Sequence, residues 1–261
     1  MSLQGKTVFI SGSTRGIGHA IAVGCAADGA EVIVHGRTEP AVDAAIDRIR
    51  AAVPGASISG CAADLAVSVE VSGLLDRLRD LGVDVLINNA GIFDVADFTT
   101  INDDEWSRYL TVNLMAGVRL SRALLGGMLT RNWGRIIFIG TESAVDVPAD
   151  MIHYGTTKAA ALALSNGLAK LTKGTAVTVN TVLGGPTYSD GVSARIEEIA
   201  AEREISTEQL KSGLVRPTSL LGRFIDPEEI ADVVVFLAGR RSSAINGAAV
   251  RVDGGVLTTL T

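Results

Sequence analysis

Two kinds of segment alternate along the chain: short apolar or β-branched runs, and longer stretches in which apolar residues recur at helical spacing. Several of the short runs are apolar throughout, which is typical of strands in a parallel sheet that helices cover on both faces. The pattern predicts strands at 7–10, 31–35, 57–61, 83–87, 135–139, 176–182 and 248–252. It predicts helices at 17–28, 39–52, 68–80, 103–130, 154–172 and 227–238, the last of which begins with the N-cap and N1 pair Asp226-Pro227.

This alternation predicts an α/β fold, a single doubly wound (Rossmann-type) domain with a seven-stranded parallel sheet flanked by helices on both faces. No linker divides residues 1–261, so we expect one domain. Residues 187–218 form a long insertion with helical patterns at 193–201 and 207–214, and we interpret this insertion as a substrate lid. Ligands of such folds bind beyond the carboxyl ends of the strands.

Composition and charge narrow the class of protein. Of the 261 residues, 47% are hydrophobic and 20% charged, which is enough for a large core. The net charge of -6, with dispersed basic residues, argues against nucleic acid and anionic membranes as partners. We expect a cytoplasmic protein, because neither a signal peptide nor a membrane-spanning run is visible. Cys25 and Cys61 are predicted core residues, and the scattered His19, His35 and His153 predict no metal site.

A glycine-rich segment follows the first predicted strand and leads into a helix. Its spacing, G-x-x-x-G-x-G, differs from the dinucleotide fingerprint G-x-G-x-x-G, but glycines still allow a tight turn and a helix N-terminus offers free N–H groups to phosphate. We therefore predict that this loop binds the pyrophosphate of a dinucleotide; the alternative is a turn that only connects strand to helix. The residues assigned to the loop are Gly12, Ser13, Thr14, Arg15, Gly16, Ile17 and Gly18.

The end of the second predicted strand bears on the choice of cofactor. NAD-binding folds usually carry an acid there for the ribose 2′-hydroxyl, whereas this chain has Gly36 followed by Arg37. Arg37 and Arg15 are suited to bind a 2′-phosphate through charge-assisted hydrogen bonds. We predict NADP(H) in preference to NAD(H), with ordinary solvated arginines as the alternative.

Tyr154 and Lys158 lie four residues apart in a predicted helix, so their side chains share one helix face. An ammonium group stabilises an ionised phenol, and we expect Lys158 to lower the pKa of Tyr154 below its usual value of about 10. A tyrosine with such a pKa acts as an acid or base near neutral pH. The Tyr-x-x-x-Lys spacing also arises by chance on helices, so its interpretation depends on the surrounding motifs.

The ordered motifs of the chain resemble those of the short-chain dehydrogenase/reductase family in its compact form. The motifs that carry the resemblance are Gly5-Lys6-Thr7, the glycine loop, Asp64, Asn88-Asn89-Ala90-Gly91, Asn113, Tyr154 with Lys158, Arg223-Phe224, Asp226-Pro227-Glu228-Glu229 and Val252-Asp253-Gly254-Gly255. They cover nearly the whole chain, which is similar to 3-oxoacyl-carrier-protein reductase-like members of the family.

The resemblance implies a role for each motif. Tyr154 would donate a proton to the substrate carbonyl oxygen, Lys158 would bind the nicotinamide ribose, and Asn113 would hold a water that links Lys158 to solvent. Asp64 would accept a hydrogen bond from the adenine amino group. The other positions that the resemblance assigns to the cofactor are Leu65, Asn89, Ala90, Gly91, Gly185 and Thr187. Asn and Asp also end strands by bonding local backbone, so a structural role is the alternative, above all for Asn88.

Two positions depart from the family pattern. Where the family usually has serine after the fifth strand, this chain has Thr141, whose hydroxyl offers the same donor and acceptor, and we assign it to orient the substrate carbonyl. Ser143 is the rival for this role, and its alternative is a loop-capping hydroxyl. Gly184 replaces the usual proline of the next loop, which leaves the conformation around Gly185 and Thr187 open.

The resemblance implies an NADP(H)-dependent oxidoreductase that interconverts a carbonyl and a secondary alcohol by hydride transfer, with Tyr154 as acid and base. A 3-oxoacyl thioester, a sugar, a steroid and a small ketone all stay open as substrates, and Arg131 and Lys173 are candidate contacts for an acidic carrier protein. The alternative is a non-catalytic NADP-binding regulatory protein, which the altered Thr141 and Gly184 would favour.

The long helices predicted at 103–130 and 154–172 resemble those that build family dimers and tetramers. Gly126-Gly127 and the alanines at 159–161 would let two helices approach closely, although packing on the sheet explains them equally well. We expect a homo-oligomer, either a tetramer or a dimer.

Overall fold

Seven parallel strands form one sheet in the computed structural model, which describes residues 2–259. The strands are β1 (Thr7–Ile10), β2 (Glu31–Gly36), β3 (Ile58–Ala62), β4 (Val85–Asn88), β5 (Gly134–Thr141), β6 (Val177–Gly184) and β7 (Ala249–Val252). Their order across the sheet is β3-β2-β1-β4-β5-β6-β7. The winding therefore reverses between β1 and β4, which opens a crevice beyond their carboxyl ends. The predicted single Rossmann-type α/β domain is confirmed.

The helices follow the predicted pattern with one interruption. They are α1 (Gly16–Ala27), α2 (Glu39–Ala52), α3 (Ser68–Asp80), α4 (Asp103–Tyr109), α5 (Ala116–Thr130), α6 (Ile152–Lys170), α7 (Asp190–Glu202), α8 (Thr207–Leu214) and α9 (Pro227–Ala238). The single helix predicted at 103–130 is wrong, because the π-helical turn Leu110–Met115 separates α4 from α5. α9 begins at Pro227 as predicted, and the Glu229 carboxylate accepts a 2.9 Å hydrogen bond from the N–H of Asp226.

The sheet has an apolar layer on each face because successive residues of a strand point to opposite sides. In β1, Val8 and Ile10 belong to the layer covered by α1, α2 and α9, whereas Phe9 belongs to the layer covered by α3, α5 and α6. Cys25 is buried in the first layer and Cys61 in the second, as predicted for core residues. Helices on both faces leave only the ends of the strands accessible to ligands.

The insertion after β6 has a small apolar core of its own. Ile196 and Ala200 of α7 pack with Leu210 of α8 and with Phe224 in the segment before α9. This cluster is separate from the two layers on the sheet, so α7 and α8 form a distinct unit above its carboxyl edge. Within residues 2–259, the search for a helix with the length and hydropathy of a membrane span finds none.

Candidate active site

The glycine loop between β1 and α1 depends on glycine at two kinds of position. Gly12 and Gly16 have φ angles of 65° and 57°, in the left-handed region that side chains disfavour. Gly18 is required for a close approach instead, since a Cβ there would collide with the Asn89 amide and the Gly12 carbonyl. The loop therefore lies directly against the segment that follows β4.

Asn89 fastens the glycine loop to that segment. Its side-chain amide donates to the carbonyl oxygens of Ser11 and Gly12 at 2.9 and 2.8 Å. In return, the Ser11 hydroxyl oxygen accepts from the backbone N–H groups of Asn89 and Ala90, both at 3.0 Å. Asn89 thus holds β1 and β4 together at the crevice. Asn88, by contrast, is buried and donates to the Ser121 hydroxyl at 3.3 Å, on the side of α5.

The start of α1 already holds an anionic group. The N–H of Gly16 donates to the Asp190 carboxylate at 3.0 Å, so the first residue of α7 reaches the loop. Free N–H groups and the helix dipole favour negative charge at a helix N-terminus. A carboxylate at this position shows that the loop fits an anion, and the residues present fit the pyrophosphate of a dinucleotide.

The end of β2 is bordered by arginines. Arg37 and Arg15 are both exposed. Arg48 of α2 donates to the Thr14 carbonyl at 2.5 Å, which brings a third guanidinium to the loop. Arg48 is not among the predicted site residues, because a contact across 34 residues has no local sequence pattern. Positive charge therefore lies next to the end of β2, on Arg37, and at the glycine loop, on Arg48. The choice of NADP over NAD stays a prediction.

The side chain of His35 stabilises the glycine loop through a hydrogen bond. Its ring is buried against the edge of Phe9, and its Nδ1 accepts from the Gly12 N–H at 3.0 Å. Burial lowers the pKa of His35 to about 4, so the ring is neutral and available as an acceptor. Of the three histidines, His153 is also buried, against Trp106 and Tyr109. Within residues 2–259, no cluster of three His, Cys, Asp or Glu side chains is arranged to hold a metal.

Asp64 and Leu65 follow β3 on the same edge of the sheet. The Asp64 carboxylate accepts from the N–H of Ala66 at 2.9 Å, which is a local turn, and it stays partly exposed. Leu65 is buried in the core layer that α3 covers. Asp64 keeps acceptor positions for a ligand, since a carboxylate has about four of them. The adenine contact implied for Asp64 stays a prediction.

Tyr154 and Lys158 lie side by side near the start of α6. The Lys158 ammonium is 5.8 Å from the centre of the Tyr154 ring and donates to the Ile139 carbonyl at 2.9 Å. A Cβ on Gly91 would lie 3.4 Å from the Lys158 Nζ, and a Cβ on Gly12 would lie 3.0 Å from the Ala90 Cα. The segment after β4 therefore connects the glycine loop to the tyrosine and lysine, and these groups share one crevice.

Asn113 lies in the π-helical turn and is buried beside this group. Its side-chain oxygen accepts from the Ile92 N–H at 2.8 Å, while its amide donates to the Ile92 carbonyl at 2.9 Å and to the Thr157 hydroxyl at 3.1 Å. The side chain thus fastens the segment after β4 to α6. The π-helical turn is the irregularity that the sequence pattern could not predict, and such turns occur often at functional sites.

Thr141, Glu142 and Ser143 form a polar network at the end of β5. The Thr141 hydroxyl donates to one carboxylate oxygen of Glu142, and the Ser143 hydroxyl donates to the other at 3.3 Å. The Thr141 oxygen also accepts from the Ser143 N–H at 3.2 Å and so caps the turn. The hydroxyl that caps this turn is therefore that of Thr141. The alternative role of Ser143 as the loop-capping hydroxyl is wrong. All three residues are buried.

The Thr141 side chain lies near enough to the Tyr154 hydroxyl to lower the pKa of the phenol, whereas the negative charge of Glu142 raises it. The Thr141 hydroxyl donates to Glu142, so a carboxylate belongs to the surroundings of the candidate acid. Glu142 is not among the predicted site residues, although a charged residue between two hydroxyl residues at a strand end was a visible signal.

The pKa values at this site differ from the sequence-based expectation. Burial and the negative charge of Glu142 raise the pKa of Tyr154 above its usual value, and the nearby Thr141 side chain only partly opposes them. Burial also lowers the pKa of Lys158 to about 8. The expectation that Lys158 lowers the pKa of Tyr154 is therefore wrong for this structure, because desolvation and the Glu142 carboxylate dominate that pKa.

The loop after β6 is regular despite the glycine at its start. Gly184 is the last residue of β6 and pairs with Thr141 of β5 and Val252 of β7. Gly185 donates to the Val252 carbonyl at 3.0 Å, and the Thr187 hydroxyl donates to the Gly185 carbonyl at 2.8 Å. Strand pairing thus fixes the conformation that the sequence left open. Cofactor contacts of Gly185 and Thr187 stay predictions.

A reversal of winding between β1 and β4, a glycine loop that holds an anion, and a tyrosine and lysine in the same crevice define a nucleotide-dependent oxidoreductase of the Rossmann type. The family model described as short chain dehydrogenase matches residues 6–200. The chain belongs to the short-chain dehydrogenase/reductase family, which confirms the resemblance.

Similar proteins agree with this assignment. Two uncharacterised oxidoreductases of Bacillus subtilis, YvrD and YvaG, are each 42% identical to the chain, covering 100% of it and 99% of their own length. A 3-oxoacyl-[acyl-carrier-protein] reductase of Aquifex aeolicus is 33% identical over 98% of the chain and 99% of its own length.

Among solved structures, L-sorbose reductase of Gluconobacter frateurii, complexed with NADPH and L-sorbose, superposes with a TM-score of 0.94 at 30% identity over 100% of both chains. An actinorhodin polyketide ketoreductase with NADPH has a TM-score of 0.88 at 27% identity, over 96% of this chain and 97% of its own. The chain is thus an enzyme of the class that acts on CH–OH groups.

Proposed function

We propose that the protein is an NADP(H)-dependent oxidoreductase that interconverts a carbonyl group and a secondary alcohol, with Tyr154 as the acid and base. The observation that carries the proposal is the single crevice that contains Tyr154, Lys158 and the glycine loop, joined through the segment after β4. The solved relatives complexed with NADPH support the choice of cofactor. Arg37 and Arg48 beside the end of β2 support a 2′-phosphate.

Different residues of the crevice would bind the cofactor and transfer the proton. The glycine loop and Asn89 would hold the dinucleotide, and Lys158 would bind its ribose hydroxyls. A nicotinamide cofactor supplies or accepts the hydride when it is bound. Tyr154 would give its hydroxyl proton to the substrate oxygen during reduction and take it back during oxidation. Thr141, which lies beside the Tyr154 hydroxyl, would orient the substrate carbonyl.

The raised pKa of Tyr154 suits it to act as an acid, because the phenol stays protonated near neutral pH. The lowered pKa of Lys158, about 8, allows this amine to lose and regain a proton near neutrality. Asn113 fixes the wall beside both groups through Ile92 and Thr157. We propose that protons lost from Tyr154 are replaced from solvent on the Lys158 and Asn113 side of the crevice.

The insertion 187–218 is proposed as a lid over the substrate. Its helix α7 touches the glycine loop through Asp190, and its separate apolar core would let it move as a unit. Close relatives in this family act on sugars and on acyl thioesters by their names, so both classes are candidate substrates. Exposed Gly126-Gly127 on α5 and Ala163 on α6 support the proposal of a homo-oligomer.

The proposed function is tested by the loss of reduced-cofactor absorbance on a panel of ketoses, small ketones and 3-oxoacyl thioesters, with NADPH and NADH in parallel. We expect turnover of at least one carbonyl class with NADPH, and a kcat about 10²- to 10⁴-fold lower with the variant Tyr154→Phe. Failure of the whole panel with both cofactors would favour the non-catalytic binding protein. Undiminished turnover in Tyr154→Phe would remove the tyrosine from the mechanism.

A further inference from the structure

A buried carboxylate lies in the turn between β5 and α6, next to the candidate acid. It is the side chain of Glu142, a residue that is only 6% exposed. Among the side chains that the structure describes, which leave out Arg195, no lysine, arginine or histidine nitrogen lies within 4.0 Å of its oxygens. Removing a carboxylate from water without a partner is costly, so buried carboxylates are normally paired or fully hydrogen-bonded.

The hydrogen bonds of Glu142 account for only part of its capacity. Each oxygen accepts from one neighbouring hydroxyl, Thr141 on one side and Ser143 on the other. An ionised carboxylate has about four acceptor positions, so about two are left. Both donors belong to the short turn that packs against the start of α6, so they fix the orientation of the carboxylate beside that helix.

Two observations place Glu142 beside the candidate acid. The turn that carries Glu142 packs against the start of α6, where a Cβ on Gly155, the residue after Tyr154, would lie 2.8 Å from the Ser143 carbonyl oxygen. The negative charge of Glu142 also acts on the Tyr154 hydroxyl. The exposed ring of Phe93 packs against Tyr154 edge to face, with 6.2 Å between the ring centres. Tyr154 therefore has both a carboxylate and an apolar ring in its surroundings.

We infer that Glu142 is a substrate-recognition residue that accepts a hydrogen bond from a hydroxyl group on the carbon next to the reacting carbonyl. The inference deepens the proposed function and rests on it. The substrate class is an α-hydroxy ketone on reduction, or the corresponding vicinal diol on oxidation. The carbonyl oxygen would meet Tyr154, while the adjacent hydroxyl would donate to the free acceptor positions of Glu142.

A 3-oxoacyl thioester fits poorly beside the Glu142 carboxylate. The carbons on either side of its reacting carbonyl carry only C–H groups, which cannot satisfy a carboxylate. Its second carbonyl oxygen would be an acceptor facing another acceptor, which leaves both groups unpaired in a site shielded from water. Glu142 thus separates the two candidate substrate classes by chemistry, since a site built to bond a hydroxyl rejects the analogue that lacks one.

The test uses a pair of ketones that differ by one hydroxyl. In 3-pentanone a methyl group replaces the hydroxyl of 1-hydroxy-2-butanone, so the two have nearly the same size and reacting carbonyl. We expect the wild-type protein with NADPH to show a kcat/KM for 1-hydroxy-2-butanone at least tenfold above that for 3-pentanone, because a hydrogen bond to a charged group contributes about 1.5–3 kcal/mol.

The variant Glu142→Gln keeps the size of the side chain and removes its charge. We expect the ratio of kcat/KM for 1-hydroxy-2-butanone to that for 3-pentanone to fall about tenfold, because the effect of the lost charge on Tyr154 is common to both ketones. Asp146→Asn is the matched control, since it removes an exposed carboxylate four residues further along the chain and should leave the ratio of the two values unchanged. A purely structural role of Glu142 would lower both values together.

The wild-type measurement keeps the inference falsifiable even if Glu142→Gln does not fold. Equal or better turnover of 3-pentanone, or of an acetoacetyl thioester, by the wild-type protein would overturn the inference and leave the proposed function standing. Absence of turnover with every carbonyl compound would overturn both. A substrate ratio that persists unchanged in Glu142→Gln would assign hydroxyl recognition to another residue.

Discussion

The carboxylate of Asp190 accepts a 3.0 Å hydrogen bond from the N–H of Gly16, which joins the first residue of α7 to the N-terminus of α1. The two residues are 174 positions apart, and the contact brings the insertion after β6 onto the glycine loop. A dinucleotide phosphate and the Asp190 carboxylate would compete for the same N–H group. The position of α7 and the occupancy of the loop are therefore linked.

The first prediction follows from this competition. Replacing Asp190 with Ala should lower the Kd for NADPH by up to about fivefold, because a carboxylate at a helix N-terminus contributes roughly 0.3–1 kcal/mol. Titration of cofactor fluorescence measures the change. Glu202→Ala, at the exposed far end of α7, is the control for net charge and should leave the Kd unaltered. An equal shift in both variants would indicate a general electrostatic effect.

Cofactor preference gives the second prediction. Arg37→Ser should raise KM for NADPH about tenfold or more and change KM for NADH little, because only the former carries a 2′-phosphate for the guanidinium to bind. Initial rates with both cofactors on one substrate provide the measurement. Arg240→Ser, exposed after α9, serves as the charge-matched control. A lower KM for NADH than for NADPH in the wild-type protein would contradict the assignment of NADP.

The third prediction concerns the candidate acid. Tyr154→Phe removes the hydroxyl while keeping the ring that packs against Phe93. We expect kcat to fall about 10²- to 10⁴-fold, with the Kd for NADPH within about twofold of the wild-type value. Stopped-flow turnover and equilibrium cofactor binding separate the two effects. A variant that loses cofactor binding as well would show that the phenol supports the dinucleotide site instead.

The lowered pKa of Lys158 predicts that the stability of the protein depends on pH. Its pKa is about 8 in the folded protein, below the usual 10.5, so between those values the unfolded chain binds more protons and stability rises with pH. The burial cost of the charged amine, about 3 kcal/mol from a shift of this size, is present below pH 8 and disappears by about pH 10.5. The raised pKa of Tyr154 acts in the opposite sense only above its usual value of 10.

The measurement is urea unfolding of the wild-type protein and Lys158→Met at pH 7 and pH 9.5. The free energy of unfolding of the variant relative to the wild-type protein should be higher at pH 7 than at pH 9.5. Lys170→Met, an exposed lysine at the end of the same helix, should show no such trend. A difference that does not change with pH would mean that Lys158 has its usual pKa when folded.

The fifth prediction concerns Asn113, which joins the segment after β4 to α6, and its contribution to stability. Asn113→Ala removes three hydrogen bonds and leaves the N–H and carbonyl of Ile92 without partners, so we expect a loss of about 2–4 kcal/mol in the free energy of unfolding. Asn166→Ala, which removes one exposed bond to Gly247, should cost less than about 1 kcal/mol. Similar losses in both variants would show that Asn113 contributes no more than a surface amide.

Local patterns in the sequence are sufficient to predict the fold and to single out the glycine loop, Tyr154 and Lys158 as candidate site residues. Apolar strand runs and helical spacing identified all seven strands, and several helices, such as Glu39–Ala52, were bounded correctly. The glycine positions follow from backbone conformation, and the spacing of Tyr154 and Lys158 follows from helix geometry.

The charges that act on those residues depend on packing between distant elements. The spacing of Tyr154 and Lys158 predicts a lowered pKa for the tyrosine, whereas burial and Glu142 raise it. Arg48 and Asp190 reach the glycine loop from distant segments, and a π-helical turn interrupts the helix that carries Asn113. The physical reason is that desolvation and long-range contacts depend on packing between elements, which no local spacing of residues encodes.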